Sequence, residues 1–184
     1  MKTTFFAAIF CLGSLAAVAG DAPEGSDGAL GTIGALDVPR YMGTWYEIAK
    51  FPNWFQRKCV SATRADYRLQ SDGTVQVINR CRVESGATIE AVGRARQLGL
   101  ATSPKLEVRF APDWLAFLPL VWGDYWVIDL DGDYRLVAVS EPKKQYLWIL
   151  ARTPKVDPDA YQGLLARLAQ KGFDLGRLEL TRQD

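Results

Sequence analysis

Eight short segments of strand character follow one another from residue 43 to residue 152, with turn-forming residues in most of the gaps. They cover 43–50, 60–69, 74–83, 88–98, 105–110, 124–130, 134–140 and 146–152. Asp72-Gly73, Ser85-Gly86, Ser103-Pro104, Asp131-Gly132-Asp133 and Glu141-Pro142 supply turn chemistry between them. Several segments alternate: Leu106, Val108 and Phe110 share one face, Glu107 and Arg109 the other. Tyr146, Trp148, Leu150 and Arg152 likewise share a face. This pattern fits antiparallel strands with one apolar side. One helix follows, with Asp157 as its cap, Pro158 and Asp159 in its first turn, and Gly172 as its stop. Tyr161, Leu164, Leu165 and Leu168 give it one apolar face, and Leu178 and Leu180 suggest a ninth strand beyond it. Eight such strands close into an up-and-down barrel or divide into a two-sheet sandwich, and periodicity alone does not choose.

Composition narrows the chemistry. The chain has no histidine, which excludes Ser-His-Asp and Cys-His catalysis, the usual zinc sites and histidine-ligated haem. With the first twenty residues set aside, 21 basic residues face 21 acidic ones. A nucleic-acid partner, which calls for a basic surface, is not expected. Nor does the chain present a metal- or cofactor-binding pattern.

The chain opens as a targeting segment. Lys2 precedes an apolar run from Phe5 to Leu12, and Ala17-Val18-Ala19 reads as a cleavage pattern, so residues 1–19 are expected to be a secretory signal. Cys11 follows bulky Phe10, whereas an acylated cysteine follows small residues, so a lipid anchor there is not expected. Residues 20–35, with five glycines, read as a flexible leader, and 36–184 as the folded domain. Signal removal leaves Cys59 and Cys81, an even count in an oxidising compartment; pairing is favoured over two separate buried thiols.

The strand count and three sequence phrases resemble the lipocalin family. Gly43-Thr44-Trp45-Tyr46-Glu47 opens the first strand as that family's G-x-W signature does, and Arg152 closes the eighth in Leu147-Trp148-Ile149-Leu150-Ala151-Arg152-Thr153-Pro154. Leu130-Asp131-Gly132-Asp133-Tyr134 is a partial match to the T-D-Y turn between strands six and seven. The resemblance implies an all-β fold, an eight-stranded antiparallel up-and-down barrel with one helix packed outside. It also implies that Trp45 and Arg152 stack to close one end. The phrases around Trp45 and Arg152 are most similar to the bacterial outer-membrane lipocalins, relatives of apolipoprotein D. That subgroup implies a periplasmic or outer-membrane protein that stores or transports fatty acids or lysophospholipids.

With Trp45 inward, alternation turns Glu47 and Ala49 inward as well. It adds Ala65 and Tyr67, Val77 and Asn79, Gly93, Val108 and Phe110, Tyr125, then Tyr146 and Trp148 as the expected ligand lining. Small residues such as Gly93 are expected to make room. The open-end loops carry Trp54, Phe55, Trp114, Phe117 and Trp122, with Lys143 and Lys144 among the nearby cations. Loops so apolar suggest contact with a membrane surface, an inward-folded lid, or a homodimer joined mouth to mouth. The expected function is therefore lipid binding and not catalysis. An isomerase or epoxide-transforming enzyme using Glu47 as a buried acid or base is the alternative.

Overall fold

A computed structural model describes residues 29–184 of the chain. The signal segment and Cys11 lie outside the described residues. Among the described residues there are two α-helices, α1 (Val38–Tyr41) and α2 (Pro158–Gln170). The strands are β1 (Gly43–Lys50), β2 (Ser61–Leu69), β3 (Val75–Arg82), β4 (Thr88–Gln97), β5 (Lys105–Arg109), β6 (Gly123–Leu130), β7 (Leu136–Ser140), β8 (Leu147–Ala151) and β9 (Glu179–Leu180). Every strand pairs antiparallel with the next from β1 to β8, and β8 returns to β1. The sheet is a closed eight-stranded barrel with β9 added outside the cycle, on β1. Closure, not a sandwich, is how this chain removes its sheet edges.

Two apolar clusters follow from the strand period. Trp45, Ala65, Tyr67, Val77, Leu106, Val127, Val139 and Leu150 point into the barrel. The alternate residues of β6, β7 and β8 point outward, where Leu164 and Leu168 of α2 bury Ile128, Leu136, Ala138, Leu147 and Ile149. This coverage explains why β7 is buried at every position although its side chains alternate. The helix is capped as its sequence suggests: the Asp157 carboxylate accepts from the Ala160 N–H at 2.9 Å. It stops where Gly172 adopts φ +80°. Arg167 fastens it to the wall through two hydrogen bonds to Asp129, at 2.8 and 2.9 Å.

The packed domain begins ahead of residue 36. Leu30 is buried with the α2 cluster, and the Ile33 N–H donates to the Val127 carbonyl at 3.1 Å. The end of the glycine-rich leader is thus laid against the barrel, because its few apolar residues find places there.

One inward assignment changes, and one inward residue has a different role from the one expected. A bulge between Glu47 and Ala49 inserts one extra residue into β1. Glu47 stays opposite inward-facing Leu150, but Ala49 pairs with Ile149 and joins the cluster beneath α2. One added residue reverses strand parity, so Ala49 does not face the lumen. Gly93 does face it, but the space is already used. A Cβ there would lie 2.6 Å from the Arg109 carbonyl oxygen and 2.7 Å from the Phe110 ring. The small residue at this point accommodates Phe110, not a guest.

Candidate functional site

The barrel has a built floor. The Arg152 guanidinium lies 4.0 Å over the Trp45 ring. It donates to three carbonyls from separate segments: Arg40 at 2.9 Å, Thr44 at 3.2 Å and Tyr134 at 3.2 Å. Gly43 fits beneath it because a Cβ would come within 3.2 Å of Arg152 Nη1. Trp45 is fully buried and donates its indole N–H to the Tyr41 carbonyl at 2.9 Å, so α1 is tied across the closed end. Tyr134, in the turn that only partly matches T-D-Y, accepts from the Asp37 N–H and lies under Arg40 at 4.2 Å.

Above the floor sits a polar cluster that strand period alone does not reveal. The Tyr125 hydroxyl lies 2.8 Å from that of Tyr41 and 3.0 Å from that of Tyr67. Burial pushes Tyr67 up to about 12, and it holds Tyr41 and Tyr125 well above the ordinary tyrosine range. All three are neutral phenols at physiological pH. Tyr41 could not be found from alternation, since it precedes β1 in a single helical turn.

The wall is mostly apolar. Ala65, Tyr67 and Val77 are buried on the inner face; Asn79, Val108, Tyr125, Tyr146 and Trp148 are only partly buried. An inward-facing side chain of a closed barrel keeps solvent contact only through the lumen or its mouth. Val108, Tyr125 and Trp148 keep partial exposure on this inner face, toward the lumen or its mouth. Phe110, at the upper end of β5, remains about half exposed over Gly93.

Toward the mouth, Glu47 is an anchor point. Its carboxylate accepts from Gln56 at 2.7 Å and from the Thr181 hydroxyl at 2.6 Å. Gln56 in turn accepts from the Trp148 indole at 3.0 Å and from Asn53 at 2.6 Å. The group joins β1, β8, the 51–60 loop and the C-terminal segment. Burial raises the Glu47 pKa, against the opposing effect of its two hydrogen bonds. Phe55 packs beside this group, on Tyr146 and Trp148, with ring centroids 5.6 and 6.2 Å away. The Cys59–Cys81 disulfide fixes the end of the same loop to β3, across a Cα separation of 5.5 Å.

Three expectations for the mouth are revised. Trp122 lies on the outer wall between Arg96 (4.2 Å) and Arg109 (5.1 Å) and donates to the Ala116 carbonyl at 2.9 Å. Arg109 is buried by this loop and bonds Asp113 and the Ala111 carbonyl. The 111–122 loop is thereby folded against the outside of the barrel, so it is not a lid; it leaves Trp114 and Phe117 about three-quarters exposed. Trp54 is similarly exposed. Lys144 donates to the Lys171 carbonyl at 2.7 Å, where it complements the C-terminus of α2 instead of ringing the mouth. Lys143 is exposed.

The geometry agrees with comparisons to known proteins. Residues 36–183 match the lipocalin-like domain family. The chain is 38% identical over 152 residues to Temperature-induced lipocalin-1 of Arabidopsis thaliana, covering 82% of this chain and 81% of that protein. It is also 38% identical over 152 residues to the outer membrane lipoprotein Blc of Escherichia coli (strain K12), with the same coverage. Among solved structures, insecticyanin from the tobacco hornworm Manduca sexta superposes with a TM-score of 0.64 at 16% identity, over 83% of each chain. A closed barrel floored by Trp45 and Arg152, with a family match from residue 36 to residue 183, makes this chain a member of the lipocalin family.

Proposed function

We propose that this lipocalin binds single-chain lipids, fatty acids or lysophospholipids, inside its barrel and carries them within a cell envelope. The observation that supports this most is the partial exposure of inward-facing Val108, Tyr125 and Trp148 in a barrel with a closed wall and a sealed floor. A lumen walled by Ala65, Tyr67, Val77 and these residues suits an acyl chain, since each methylene leaving water contributes about 0.8 kcal/mol. Similarity to an outer membrane lipoprotein supports the envelope setting.

The role of Glu47 also favours carriage over catalysis. Both of its carboxylate oxygens are engaged by fixed protein donors, so it serves as a strut for the mouth. The exposed Trp54, Phe55, Trp114 and Phe117 would rest on a lipid surface, where aromatic side chains are favoured. Titration with a lysophospholipid, followed by tryptophan fluorescence, tests the proposal. Saturable quenching through Trp148 is the expected result, absent in Trp148→Phe. No response in the wild type, together with no retained lipid, would defeat it.

A further inference from the structure

The tyrosine cluster above the floor contains one proton more than its contacts can use. Tyr41, Tyr67 and Tyr125 carry three hydroxyl protons, and only two hydroxyl–hydroxyl contacts join them. If Tyr41 and Tyr67 both donate to Tyr125, the Tyr125 proton is spare. If the bonds run in series, the spare proton moves to Tyr67 or Tyr41. No arrangement places it, and no other acceptor lies within hydrogen-bond distance of these hydroxyls among the described residues. A buried donor without an acceptor is rare in folded proteins, because burial forfeits its bond to water.

The Tyr125 hydroxyl is buried with the other two. Its residue projects from β6 into the barrel beside Leu106, its cross-strand partner, and alone of the three keeps partial exposure. The surroundings also have a sign. The positive charge of Arg152, beneath Trp45, acts on both Tyr41 and Tyr67. The spare donor therefore suits a neutral or negative oxygen and disfavours a cation. A terminal methyl arriving here would leave the donor unmatched.

We propose that Tyr41, Tyr67 and Tyr125 form a ligand subsite at the barrel floor that donates a hydrogen bond to an oxygen at the buried end of the guest. The preferred guests are then amphiphiles oxygenated at the far end of the chain, with a hydroxyl, carbonyl or carboxyl group there. This inference rests on the lumen being a lipid site, and its test separates the two. The probes are palmitoyl lysophosphatidylcholine and the same lipid with a hydroxyl on the last carbon of its acyl chain. The bulky head group keeps both in one orientation.

Wild-type protein is expected to bind the hydroxylated lipid at least as tightly as the plain one. In Tyr41→Phe/Tyr67→Phe/Tyr125→Phe the preference should swing about tenfold toward the plain chain. An unchanged ratio in the triple variant overturns the subsite while leaving lipid binding intact. Failure of the wild type to bind either lipid removes both. Should the triple variant not fold, the wild type alone decides the matter, using a lysophospholipid with a ketone next to its terminal methyl. Its bound carbonyl stretch should fall below the value in hydrocarbon solvent, and an unshifted band overturns the proposal.

Discussion

The Arg152 guanidinium lies 4.0 Å over the face of Trp45 while donating to carbonyls of Arg40, Thr44 and Tyr134. One side chain thus joins α1, the start of β1 and the β6–β7 turn. Arg152→Ala should cost about 1–2 kcal/mol from the stacking contact alone, a Tm loss of roughly 2–8 °C. Lipid affinity should change far less, because the pair lies below the lumen. Thermal melts and lipid titrations on the same samples check this; an unchanged Tm would remove the floor's structural role.

Gly93 provides a backbone test. Gly93→Ala pushes a methyl against the Arg109 carbonyl and the Phe110 ring, and should destabilise by about 1–3 kcal/mol. Gly123→Ala, whose Cβ would meet only the Val108 carbonyl at 3.8 Å, should be tolerated. Equal melting of the two variants would mean that β4 and β5 do not approach as described.

Glu47 gives the pH dependence. Its folded pKa is raised above the 4.5 of a solvated glutamate, so the native state binds its proton more tightly than the unfolded chain does. As pH rises through that window, the wild type loses stability from this group, and Glu47→Gln does not. The Tm of the variant minus that of the wild type should therefore increase from pH 4.5 upward and then level off. A difference that falls with pH contradicts the burial of this carboxyl.

The Cys59–Cys81 bond, spanning 22 residues, should contribute about 3 kcal/mol by restricting the unfolded chain. Reduction should lower the Tm of the wild type and leave Cys59→Ser/Cys81→Ser unaffected. A reducing agent without effect on the wild type would show that the two thiols are not paired.

The exposed loop residues can be separated from the lumen. Trp114→Ser/Phe117→Ser should weaken sedimentation with anionic phospholipid vesicles, without altering Tm or lysophospholipid binding. Vesicle binding that survives the change places the membrane contact elsewhere.

The barrel was legible because its strands alternate and its turns carry Gly, Pro and Asp; every strand lies within a residue or two of where the pattern puts it. Trp45 and Arg152 were legible as a pair only through the family resemblance, since nothing local requires an arginine 107 positions away to stack on an indole. Ala49 was misplaced because a bulge changes parity without changing composition. Trp122 and Lys144 were misplaced because loop and helix-end partners depend on tertiary contacts: Arg96 and Arg109 for one, Lys171 for the other. The tyrosine cluster was hidden for a similar reason, as Tyr41 joins it from outside the strands.

Lipid carriage by this barrel depends on a hollow that admits one lipid, and native mass spectrometry with palmitoyl lysophosphatidylcholine tests that most directly. The wild type should retain a single lipid per chain. Val108→Trp, which fills the lumen beside Tyr125, should retain none while keeping its Tm. A wild type that stays lipid-free, or a filled variant that holds lipid equally well, would contradict it.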